Sequence, residues 1–172
     1  LTPKLNDGEL KLLRHLDKHL DIGWEIYIQP PMNGLRPDFV VLHPNFGIGI
    51  FEVKDWRPPE SGELQYNPDT KRLLRRLPNG KYCVNSSQPI DIALNYKTTL
   101  IESISGVLSQ DVNYGLVTTV LVFPQWSRHH IENLFSASLA RDKKFSHPQT
   151  NMIVGKDEIE KSDILAIFPR AQ

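Results

Sequence analysis

The chain has 172 residues, enough for one compact domain with a real core and short for two. Hydrophobic residues make up 40% and charged residues 23%, the composition of an ordinary folded domain and not of a disordered or fibrous chain. Twenty Lys and Arg balance twenty Asp and Glu, which weighs mildly against a strongly basic nucleic-acid binder, and apolar runs such as 116–123 are far too short to cross a membrane.

The predicted elements begin with a helix. Leu10, Leu12, Leu13, Leu16 and Leu20 fall on one face. Asn6 or Asp7 caps it, Glu9 stands where a capping-box acid would, and Gly23 closes it. Residues 24–28 alternate as a short strand, a Pro30-Pro31-Met32-Asn33-Gly34 loop follows, and two apolar strands, 36–43 and 47–54, flank a Pro44-Asn45-Phe46-Gly47 turn. From Arg57 to Asn85 repeated Pro, Gly and Asn turn signals separate short basic pieces, a β-hairpin excursion and not a second domain. Residues 88–108 form a helix with Pro89 in its first turn and Gly106 near its end. Residues 116–123 read as a central buried strand, Ser127 caps a helix through about Phe135, and a short strand near 152–154 precedes a helical turn near Asp157. The order implies an α/β fold, a central mixed sheet with helices on its faces.

Three charges interrupt the apolar strands: Asp38, Glu52 and Lys54. Side chains alternate along a strand, so Glu52 and Lys54 share a face, and antiparallel pairing across the turn brings Asp38 near Glu52. Charges in such strands are costly unless paired or bound to a metal. Asp38 alone reads better as a strand-entry acid bonded to a turn, and a structural salt bridge between neighbouring strands is the alternative for Glu52 and Lys54. Taken together, two carboxylates and an ammonium suit Mg²⁺ or Mn²⁺ and a phosphate, the requirements of a phosphodiesterase. Trp56 follows directly, either to stack on an unpaired base or, the better reading, to pack beneath a loop. Cys83 is the only cysteine and gives no disulfide or zinc set, His129, His130 and His147 lack matching ligands, and a reducing, cytoplasmic setting is expected. No nucleophile elbow or phosphate-binding loop appears.

Pro37-Asp38 followed by Glu52-Val53-Lys54 resembles the PD-(D/E)XK nuclease signature, and with Gly8-Glu9 in the first helix and Phe51 to Trp56 later it resembles the nuclease-related domain, or NERD, family. The resemblance implies a restriction-endonuclease-like core and a metal-dependent nuclease acting on DNA, single-stranded or branched, in repair or processing. It implies that Glu9 helps organise the metal site, a role that competes with capping, and that a Gln or Tyr on the following helix takes part. Gln88 and Tyr96 lie there, but their spacing departs from the Gln-x-x-x-Tyr pattern, and a helix-entry residue and a core tyrosine with a satisfied hydroxyl are the readings we favour. A fused helicase fits the family, and residues 1–172, whose tail from Ile167 to Gln172 stops abruptly after an apolar turn, read as one domain excised from a longer chain. A non-catalytic DNA-binding or protein-docking module on the same scaffold is the rival, and the sequence does not separate DNA from RNA.

Overall fold

The computed structural model describes residues 4–104, 115–141 and 151–161. Helix α1 (Asp7–His19) opens on a complete capping box: Asn6 Oδ1 accepts from the Glu9 N–H at 2.9 Å, and Glu9 Oε2 accepts from the Asn6 N–H at 2.8 Å. It ends before Gly23. Leu20 is already extended and Asp21 accepts from the Gly23 N–H at 3.0 Å, so an aspartate turn stops the helix.

Strands β1 (Glu25–Ile28), β2 (Phe39–His43) and β3 (Gly47–Val53) form an antiparallel meander, with Phe39 opposite Phe51 and Ile28 opposite Phe39. Strand β2 starts three residues later than expected. Pro37 has no N–H to donate to a ladder, which leaves Asp38 on the bend at the strand's mouth. Strands β4 (Leu64–Asn67), β5 (Arg72–Arg76) and β6 (Tyr82–Val84) make a separate three-stranded antiparallel sheet, the predicted excursion. Helix α2 (Pro89–Ile104) then crosses to β7 (Val117–Phe123), followed by α3 (Arg128–Arg141), β8 (Asn151–Gly155) and α4 (Lys156–Lys161). The main sheet runs β1-β2-β3-β7-β8, antiparallel on one side and parallel from β3 onward. The fold is therefore the expected α/β type, a central mixed sheet flanked by helices.

Its two faces are covered separately. Leu12 and Leu16 of α1 pack with Phe39, Val41, Phe51 and Val53, while Tyr96 of α2 packs with Val40, Ile50 and Val117 from the opposite side. Every residue of β7 is buried, as its unbroken apolar run predicts. Helix α3 extends past Phe135, and its first N–H is bonded by Asp157 of α4 at 3.1 Å, while the Ser127 hydroxyl pairs with His130 Nδ1 at 2.6 Å. The expected helix end at 105–108, His147 and the tail 167–172 lie outside the described residues.

The β2–β3 turn depends on Gly47. It has φ +89°, and a Cβ there would lie 2.5 Å from the Leu116 carbonyl oxygen. Gly47→Ala is expected to destabilise the protein by about 2 kcal/mol or more, through left-handed strain and the backbone clash together. Gly34→Ala, at φ +83° in open space, should cost less. Chemical denaturation of the two variants side by side checks the difference.

Candidate active site

The β2–β3 register places the first pair of acids. Phe39 faces Phe51, so one step further out Asp38 stands opposite Glu52, on the same sheet face as Ile50 and α2. Asp38 Oδ2 accepts from the Val53 N–H at 2.7 Å, which fixes the carboxylate against the adjacent strand. Glu52 and Lys54 share this face as alternation requires, and Lys54 Nζ donates to Glu52 Oε1 at 2.5 Å. The pair forms along one strand, not between neighbouring strands. Both side chains are largely covered, at 7% exposure for Glu52 and 16% for Lys54.

A third acid arrives from α1. Glu9 is buried and is the acid of the capping box, yet it also stands within hydrogen-bonding reach of Asp38. One side chain thus both closes the capping box and approaches Asp38. Gly8 makes this approach sterically feasible. A Cβ at Gly8 would sit 2.7 Å from Pro124 Cγ and 2.8 Å from Asp55 Cγ, and the Gly8 N–H donates to Asp55 Oδ2 at 3.0 Å. Asp55 Oδ1 in turn accepts from Gln125 Nε2 at 2.7 Å, so one aspartate ties the start of α1 to the ends of β3 and β7. Sequence reasoning missed Asp55; its position directly after Lys54 was the available signal.

The electrostatics follow from crowding acids in a half-buried corner. Burial first, then the Glu52 charge, pushes the Asp38 carboxyl up to about 7; the Val53 N–H pulls it down, and Glu9 raises it again. Burial, with Glu52 and Asp38 nearby, raises the Tyr96 hydroxyl above its ordinary value. That hydroxyl donates to the Arg36 carbonyl at 3.3 Å, and it also reaches Glu52. A phenol carries one proton and cannot satisfy both; with the proton on Arg36, Glu52 Oε2 is buried with no hydrogen-bond partner. Tyr96 is thus both a core residue and a neighbour of the acids.

Gln88 is elsewhere. It binds the Leu73 N–H at 2.8 Å and the Leu73 and Asn85 carbonyls, pinning β5 to the start of α2 as a helix-entry residue. Trp56 packs near Phe123 and Trp126, with centroids 5.9 and 6.4 Å away. Lys97, one residue beyond Tyr96, is fully buried and burial lowers its ammonium to about 8. It falls on the stripe Ile90, Ala93, Lys97, whose helical spacing was the signal for its burial.

A divalent cation fits this corner chemically. Glu52 Oε2 is an orphaned buried acceptor, and a cation would offset the burial and the Glu52 charge that together hold a proton on Asp38. Among the described residues no three His, Cys, Asp or Glu side chains form a closed metal-binding group. An open pair of carboxylates is what Mg²⁺ commonly takes, with water and phosphate completing its shell.

The family described as "Nuclease-related domain" matches residues 4–124. No curated protein matches the chain. Among solved structures, the chain is similar to the "crystal structure of a repair endonuclease from Pyrococcus abyssi", with a TM-score of 0.42 and 11% identity, over 90% of this chain and 49% of that one. It spans about half the length of that protein. Among the described residues no helix is long and apolar enough to cross a membrane.

Two outcomes are expected of this geometry. Because the folded state holds a proton on Asp38 that the unfolded chain releases, Asp38 lowers stability as pH rises from about 4 to about 7. In chelator, Asp38→Asn should therefore gain melting temperature relative to wild type across that window; a difference independent of pH would contradict the raised value. Gly8→Ala should destabilise by about 1–3 kcal/mol, and by displacing α1 it should shift the pH dependence that Glu9 imposes on Asp38.

Proposed function

The chain belongs to the nuclease-related domain family, and from that premise we propose that it is a Mg²⁺- or Mn²⁺-dependent nuclease of the PD-(D/E)XK type, hydrolysing phosphodiester bonds in DNA during repair or processing. One observation carries the reading: Asp38, Glu52 and Lys54 meet on one sheet face, with Glu52 Oε2 buried and without a hydrogen-bond partner. Such an oxygen costs stability unless something binds it.

The residues divide the work. Asp38 and Glu52 would hold the cation. When bound, it would supply Lewis-acid stabilisation of charge on the phosphate and a more acidic water. The Val53 N–H keeps Asp38 aimed at Glu52, and Glu9 steadies Asp38 from α1. Lys54, held by Glu52 Oε1, places a compact positive charge beside the position of the scissile phosphate, where it orients the attacking water and offsets charge built up in the transition state. Tyr96, next to Glu52, limits the freedom of that carboxylate from the α2 side. A helicase joined to this domain is the partner that fits, because separated strands are the substrate it would deliver.

Calorimetry with Mn²⁺ tests the centre. Saturable binding is expected in wild type and its loss in Asp38→Ala and Glu52→Ala, each checked for folding. Since Asp38 must release its proton, affinity should rise by up to tenfold per pH unit below about 7 and level off above it. Glu52→Gln and Lys54→Ala should each lower cleavage of labelled DNA by about 100-fold or more. Full activity in folded variants would overturn the mechanism. Absence of Mn²⁺ binding, even with a short oligonucleotide present, would leave a non-catalytic DNA-binding or docking module.

A further inference from the structure

Beyond Lys54 the chain leaves the main sheet through Asp55 and Trp56, and a cleft opens between it and the β4–β6 sheet. Its inner part, about 320 Å³, is lined by Trp56, Leu64 and Ser87. Its outer part, about 750 Å³, reaches Arg76 and Val84. Arg57, Glu63, Arg75, Asn85 and Ser86 line both parts, so the two adjoin. Trp56 is two residues from Lys54, about 7 Å of extended chain. A polymer with one unit at the carboxylates therefore reaches the cleft within the next unit or two.

The charges lining it are unequal. Arg57 is occupied by Glu63 at 2.9 Å and Glu60 at 3.7 Å, and on the far end of β5 Arg72 is held by Asp91 at 3.1 Å. Arg75 and Arg76, both exposed, have no ion pair among the described residues. Two cations without acidic partners thus line the outer part, in a chain whose formal net charge is zero. Guanidinium forks at a concave surface suit phosphate oxygens. Against the inner wall Trp56 is backed by Phe123 and Trp126, a braced ring of the kind on which an unpaired base stacks. The inner cavity has room for about one base and its sugar, not for a duplex.

We propose that this cleft seats a single nucleic-acid strand running to the active site, with phosphates on Arg75 and Arg76 and one unpaired base against Trp56. The assignment rests on the nuclease reading and adds to it the form of the substrate and the path it follows. The excursion is then the strand-holding part of the domain and the carboxylates its cutting part.

Fluorescence anisotropy with labelled dT12, in chelator to prevent cleavage, tests it on the 172-residue chain. Arg75→Ala/Arg76→Ala should weaken binding at least tenfold and reduce the slope of log affinity against log salt by about 1.4, for two lost phosphate contacts at about 0.7 each. Trp56→Leu should weaken binding about fivefold or more and abolish part of the tryptophan quenching caused by the strand. Unchanged affinity and slope in the double arginine variant would overturn the proposal, as would equal binding of a duplex of the same length. The two readings separate cleanly. Arginine-dependent dT12 binding without cleavage in Mn²⁺ upholds the cleft and sinks the nuclease, whereas Glu52-dependent cleavage without arginine-dependent binding does the reverse.

Discussion

Like charges held close together in a half-buried corner are the constraint around which this domain is organised. Burial of Asp38, and after it the charges of Glu52 and Glu9, hold its proton on up to about pH 7. Each acid has a dedicated donor: the Val53 N–H for Asp38, Lys54 for Glu52, and the Asn6 N–H for Glu9. Those donors come from β3 and from the first turn of α1. The corner exists only if the β2–β3 register, the docking of α1 and the packing of α2 are all in place. Such an arrangement is unfavourable for stability alone, and this is why a cation and a phosphate are its natural complement in the proposed function.

The docking of α1 shows how tightly that requirement reaches into the backbone. A helix could cover Phe39, Val41, Phe51 and Val53 at several positions along the sheet. The absence of a side chain at Gly8 lets its first turn settle against Pro124 and Asp55, and Asp55 bonds both Gly8 and Gln125. In that position the capping-box glutamate also reaches Asp38. Capping, packing and the approach to the acids are thus satisfied by one placement of one helix.

The three-stranded excursion is joined to the same framework. Gln88, at the entry to α2, binds both backbone groups of Leu73 near the start of β5, and Leu73 itself is fully buried. The helix that brings Tyr96 to Glu52 therefore also holds the strand that carries Arg75 and Arg76. In the proposed substrate path, the cutting corner and the holding cleft keep a fixed spacing because α2 grips both.

Much of this was legible in the residues. Alternation along a strand is a local, period-two property, so the shared face of Glu52 and Lys54 and the opposition of Asp38 across a short turn follow from spacing alone. Helical periodicity and the capping pattern placed α1, and turn residues marked the excursion. Local signals failed at boundaries: a glycine stop for α1 lost to the aspartate turn at Asp21, and the Ser127 cap lost to Asp157 from another helix. Tertiary structure alone decided the remainder: that Glu9 serves Asp38 as well as its own helix, that Tyr96 stands beside Glu52, that Lys97 is buried, and that Arg75 shares a cleft with Trp56. These contacts join residues far apart in the chain. Their geometry is set by how helices and the second sheet dock on the main one, and no periodicity within a single segment encodes that.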